Sequence, residues 1–127
     1  MIVVDTSVWV SALRGKSASV AALLNGLLDA DEVALPLPVR LELSAGVARS
    51  ERAALKRALT ALPVVAPTDE TWLLMDRWIE QAANAGQRFA LTDLLIAALA
   101  EELGALVWSL DADFERMSAA GLVRLYH

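Results

Sequence analysis

Short apolar runs rich in β-branched residues alternate along this chain with longer segments of helical spacing, and no other feature constrains the fold as tightly. The short runs are Met1-Ile2-Val3-Val4, Val33-Ala34-Leu35, Val64-Val65-Ala66, Leu106-Val107-Trp108-Ser109 and Val123-Arg124-Leu125-Tyr126. Continuous apolarity over so few residues describes a strand buried on both faces. Between the runs, each helical segment carries its own start or stop signal. Ser7 can cap a helix over 8–13 that Gly15 closes, and Ser17 or Ser19 can open the next, with Val20, Leu23, Leu24, Leu27 and Leu28 on one face. Pro38 suits the first turn of a helix holding Val39, Glu42 and Leu43, which fades near Gly46. A helix over 50–62 follows. Thr68 caps another that runs to about residue 85, with Asp69 and Glu70 in its dipole-favoured first turn. Thr92 caps the last, over 93–103, and Gly104 stops it. Strand–helix alternation throughout predicts an α/β fold with a mainly parallel central sheet flanked by helices. A length of 127 residues suits one domain, 1–127, with no linker or repeat.

With no cysteine in the chain, disulfide staples, thiolate catalysis and sulfur-ligated zinc are excluded. That composition fits a cytoplasmic protein, and an aspartate at position 5 leaves no room for a signal-peptide layout. Mean hydropathy is high, at +0.48. Even so, the longest apolar stretch, 89–110, is broken by Asp93, Glu101 and Glu102, so no membrane span of roughly 20 residues is expected. The net charge of −5 argues against a general nucleic-acid binder, unless the acids gather around a cation that reverses the local field.

The order of the elements says where the acids go. Ligands of open α/β sheets bind beyond the carboxyl ends of the strands. Asp5 ends the first strand, and Asp111 lies just past the fourth. Glu42 and Asp93 fall near the starts of helices that follow strands or turns. Four carboxylates distant in sequence can therefore meet at one sheet edge. Two carboxylates about 5 Å apart repel by roughly 3 kcal/mol at an effective dielectric near 20. Against a total stability of about 5–15 kcal/mol, several such pairs call for a cation. All-oxygen ligands point to Mg²⁺ or Mn²⁺ rather than zinc, and the lone His127 has no assigned role. Such ions can activate a water in line with a phosphodiester and stabilise the leaving oxygen.

Four segments carry a family resemblance. Val4-Asp5-Thr6-Ser7, Arg40-Leu41-Glu42-Leu43-Ser44-Ala45-Gly46, Thr92-Asp93-Leu94-Leu95-Ile96-Ala97-Ala98-Leu99-Ala100 and Ser109-Leu110-Asp111-Ala112-Asp113-Phe114 resemble, in order, the motifs of PIN-domain nucleases. Threonine is more usual than Ser109 in the fourth. The length is most similar to VapC-type toxins of toxin–antitoxin pairs. The resemblance implies a Mg²⁺- or Mn²⁺-dependent endoribonuclease acting on RNA, a homodimer and a cognate antitoxin that blocks the site. It also implies Asp5, Glu42, Asp93 and Asp111 as metal-site residues, with Asp113, Ser7 and Ser109 in support.

Each of these acids has a structural alternative. Asp5 can cap the first helix, Asp93 suits a helical first turn in any case, Glu42 can be a solvated helix acid, and Asp111 and Asp113 can form a turn. Arg40, Arg49, Arg52, Lys56 and Arg57 are either a solvated helix surface or an RNA phosphate track beside Glu42, to which Arg14, Lys16, Arg88 and Arg116 can add. Trp9, Trp72, Trp78 and Trp108 read as core or interface. A PIN-like interaction module with little catalysis is one competing function. A receiver-type phosphoacceptor is another, but it would need paired acids after the first strand and a late lysine. A dehalogenase-type phosphatase would need an acid where Ser7 stands.

Overall fold

The computed structural model describes residues 1–127. The elements in chain order are β1 (Ile2–Val4), α1 (Thr6–Leu13), α2 (Ala18–Asp29), β2 (Val33–Pro36), α3 (Leu37–Gly46), α4 (Arg52–Thr60), β3 (Val64–Val65), α5 (Asp69–Asn84), α6 (Leu91–Leu103), β4 (Leu106–Trp108) and α7 (Ala112–Ala119). The four strands form one parallel sheet in the order β3-β2-β1-β4. Val3 at its centre pairs with Ala34 on one side and Val107 on the other. β1 and β2 are buried at every position, which for a parallel sheet requires helices on both faces. Val3, Val4, Leu35, Val39, Ile96, Val107, Phe114 and Met117 are almost inaccessible and form the middle of the core. No helix is long and apolar enough to cross a membrane.

Several local expectations need correction. The fifth apolar run is not a full strand. Leu122 is still tied to the end of α7, its N–H donating to Met117 O at 2.9 Å, so only Leu125 comes alongside Val107, as a single parallel bridge. α1 begins at Thr6 with Asp5, rather than Ser7, as its cap. α6 begins at Leu91, one residue before Thr92, and Ala90 offers it no side-chain cap. The helix over 50–62 is shorter, because a 3₁₀ turn over Arg49–Glu51 precedes α4 and Glu51 N–H bonds back to Ala48 O at 2.9 Å. α7 is a further helix where a turn at Asp111 and Asp113 is the simpler expectation; Phe114 and Met117, three apart and both buried, carry its signal behind the Asp111 cap.

Other signals act as read. Ser17 Oγ accepts from Val20 N–H at 3.3 Å at the start of α2. Thr68 stands at the N-cap of α5, its N–H donating to Thr71 Oγ1 at 2.9 Å. Gly104 ends α6 at φ 68°, a left-handed conformation that costs glycine little. α6 packs against β4 and α3, and its residues Ile96, Ala97, Ala98, Leu99 and Ala100 are all buried. The helix that carries Asp93 therefore runs through the core, and its N-terminal turn emerges beside the carboxyl ends of β1 and β4.

Candidate metal centre

Asp5 sits where β1 turns into α1, anchored to β4 by its N–H donating to Trp108 O at 2.9 Å. Its side chain is buried, at 5% exposure, and Oδ2 takes three donors. These are Ser7 N–H at 3.4 Å, Ser7 Oγ at 2.8 Å and Ser109 Oγ at 2.7 Å. Each hydroxyl has one proton, and both protons are used on Asp5. The 3.3 Å approach of the two serine oxygens is therefore a packing contact. Their lone pairs accept Leu110 N–H at 3.0 Å and Asp111 N–H at 2.9 Å. This network locks the β1–α1 turn to the β4–α7 loop and leaves Asp5 Oδ1 without a protein donor. Asp5 thus both caps α1 and faces the acids; the two readings of it are not exclusive.

Asp93, Asp111 and Asp113 arrive on helix starts, whereas Glu42, expected near one, is the sixth of the ten residues of α3. Glu42 lies on the exposed side of α3, where its Oε1 accepts from Thr6 Oγ1 at 2.9 Å. Thr6 belongs to the first motif, yet the sequence assigned it no role; it tethers Glu42 to the residue after Asp5. Asp93 occupies the third position of α6 and is half-buried. Asp111 caps α7, its Oδ1 accepting Asp113 N–H at 2.9 Å, and Asp113 accepts from Arg116 Nη1 at 2.8 Å. One oxygen each from Asp93, Asp111 and Asp113 lie within 4.8 Å of one another. Asp5 and Glu42 fall outside that tight trio but close enough to act on Asp93. Its carboxyl is pushed up to about 6, first by burial and then by the charges of Asp5, Asp111, Asp113 and Glu42. All five acids therefore share one field centred on Asp93.

The chemistry of this donor set fits a hard divalent cation. Oxygen ligands about 2.1 Å from a Mg²⁺-sized ion lie up to about 4.2 Å apart, within a small side-chain adjustment of the trio's spacing. The only cation paired with any of the five is Arg116, on Asp113. With Glu42 and Asp111 exposed, the cluster is an open surface rather than an enclosed pocket.

The basic residues do not form one track. Arg40, Arg52 and Lys56 line an apolar groove of about 980 Å³ between α3 and α4, together with Leu37, Leu41 and Leu55. Glu42 instead opens on a cleft of about 380 Å³ with Arg14, Leu43 and Glu51. At about 100° per residue, positions 37, 40, 41, 44 and 45 face away from 42, 43 and 46, so the two hollows lie on opposite sides of α3. Of the tryptophans, Trp9, Trp78 and Trp108 are core and Trp72 is half exposed.

The model of the family described as PIN domain matches residues 2–120 of this chain. Ribonuclease VapC11 of Mycobacterium tuberculosis is 33% identical over 120 residues, covering 91% of this chain and 90% of the relative. A chain in the structure of VapBC2 from Rickettsia felis bound to a promoter DNA fragment superposes with a TM-score of 0.77 at 20% identity, covering 99% of this chain and 98% of the other. A chain of VapBC-5 from Mycobacterium tuberculosis, described as a member of the VapBC family of toxin–antitoxin systems, gives 0.72 at 25% identity, with 98% and 96% covered.

Proposed function

Since this chain belongs to the PIN domain family and, within it, to the VapC ribonucleases, we propose that it is the endoribonuclease toxin of a toxin–antitoxin pair. It hydrolyses RNA phosphodiesters at the cluster of Asp5, Glu42, Asp93, Asp111 and Asp113, with Mg²⁺ or Mn²⁺ as cofactor. The observation that carries this reading is the convergence of one oxygen each from Asp93, Asp111 and Asp113 within 4.8 Å of one another, with Asp5 and Glu42 close by. Burial first, and then the charges of Asp5, Asp111, Asp113 and Glu42, hold the Asp93 carboxyl up at about 6, a load that a divalent cation relieves. The cation supplies Lewis-acid activation of water and charge for the leaving oxygen.

The protein's own residues do the rest. Asp93, Asp111 and Asp113 present the nearest set of ligand oxygens. Ser7 and Ser109 fix Asp5, Thr6 fixes Glu42, and all three hydroxyls keep their acids from swinging into solvent. The openness of the cluster suits a polymer that must be gripped from outside. Without a cation the same acids repel RNA phosphates. Exposed Trp72, Leu73, Ile79 and Leu91 line one shallow hollow, an apolar surface that supports assembly with a second copy or a cognate antitoxin. We place the activity in the cytoplasm, with its RNA.

The test is cleavage of structured and single-stranded RNA by the wild type and Asp5→Asn, in EDTA, Mg²⁺ and Mn²⁺. Cleavage that needs metal and is absent in the variant supports the reading. Metal-independent cleavage, or equal cleavage by the variant, overturns the assignment of the site.

A further inference from the structure

Arg116 makes three contacts that join two separate pieces of chain. Nη1 donates to Asp113 Oδ1 at 2.8 Å, in the first turn of α7. Nη2 donates to the Arg88 carbonyl oxygen at 3.0 Å, and the guanidinium lies 4.7 Å over the Phe89 ring. Residues 88 and 89 form the lead-in to α6, which carries Asp93 four residues after Phe89. No side chain caps that helix, so the direction in which α6 starts depends on buried Phe89 and on what holds the lead-in from outside. Arg116 is that outside hold, and its other end grips Asp113.

We propose that Arg116 is a positioning residue for the metal centre. It sets the spacing of Asp93 and Asp113 and, by occupying Oδ1 of Asp113, leaves Oδ2 as the oxygen offered to a cation. The inference rests on the metal-centre reading above. A planar fork is needed for it, because one guanidinium must donate in two directions while stacking on a ring; a lysine ammonium keeps the charge and loses the geometry.

Charge and geometry predict opposite signs. As a bare positive charge beside the acids, Arg116 would oppose cation binding, so its removal would tighten the site. As a positioning residue, its removal loosens the site. Arg116 and Asp113 are both about half exposed, so their pair contributes little to folding and the variants should remain folded.

Mn²⁺ affinity is measured by calorimetry at neutral pH for the wild type, Arg116→Lys and Arg116→Gln, with thermal melts in EDTA alongside. The expected result is that both variants bind Mn²⁺ about 10–100-fold more weakly, with nearly unchanged melts, as is usual when a partner holding a metal ligand is removed. Tighter binding by Arg116→Gln with wild-type binding by Arg116→Lys would overturn the proposal in favour of a charge effect. Lowered melts with unchanged affinity would overturn it in favour of a purely structural brace. If the wild type binds no Mn²⁺, the metal-centre reading fails and takes the inference with it; failure in the variants alone leaves that reading standing.

Discussion

At the scale of single residues, two aspartates behave differently because their surroundings differ. Asp5 is buried but has three donors on one oxygen. In Asp5→Asn the amide oxygen can accept the same bonds while the NH₂ turns to the acids. We expect cleavage to be lost while the melting temperature in EDTA stays equal or rises, since repulsion is removed; a large drop would make Asp5 chiefly a cap. Asp93 is half-buried among acids, and its folded value of about 6 lies above its ordinary 3.8. Between those values the folded chain holds a proton that the unfolded chain has released. Its contribution to the metal-free protein is therefore full below about 4 and is lost as pH rises through about 6. Melts in EDTA should show this decline, and Asp93→Asn should flatten it. Because a bound cation must displace that proton, Mn²⁺ affinity should fall by up to about tenfold per pH unit below 6.

At the scale of elements, the helix ends decide where the acids point. Asp111 is placed by capping α7, Asp93 by the start of α6, and Asp5 by capping α1. The far end of α6 is set by Gly104, at φ 68° with open space where a Cβ would go. Gly104→Ala therefore meets no clash and costs only backbone strain, on the order of 1 kcal/mol by chemical denaturation, with little effect on cleavage. A larger loss would mean that the turn into β4 carries packing not visible in the space around it. The motifs and most helix stops were legible because capping, proline and left-handed glycines act within a turn or two. α7 and the true start of α6 were less so: Ala90 carries no capping side chain, and the short α7 shows only two apolar positions, Phe114 and Met117.

At the scale of the whole molecule, the acids are brought together by the sheet and then left unpaired, apart from Arg116. A ligand that binds only the folded state stabilises it by about 2.7 kcal/mol at a concentration of 100 Kd. Saturating Mn²⁺ should accordingly raise the melting temperature of the wild type by several degrees, and Asp93→Asn should lose most of that gain; an equal gain in both would place the cation elsewhere. The sequence by itself determined the α/β alternation, the parallel sheet and the placing of Asp5, Asp93 and Asp111 at strand and helix ends, because periodicity, caps and turn residues are local signals. It also supplied the motif order through which the family is recognised. Only the tertiary structure decided which acids come nearest. Asp113, a supporting residue by motif, joins Asp93 and Asp111 in the tight group, while Asp5 and Glu42 stand further out. It also separated the basic groove from Glu42 and gave Arg116 its three partners. These facts depend on how helices α3, α6 and α7 rotate and cross about the sheet, and that is set by packing between residues far apart in the chain, which no local pattern encodes.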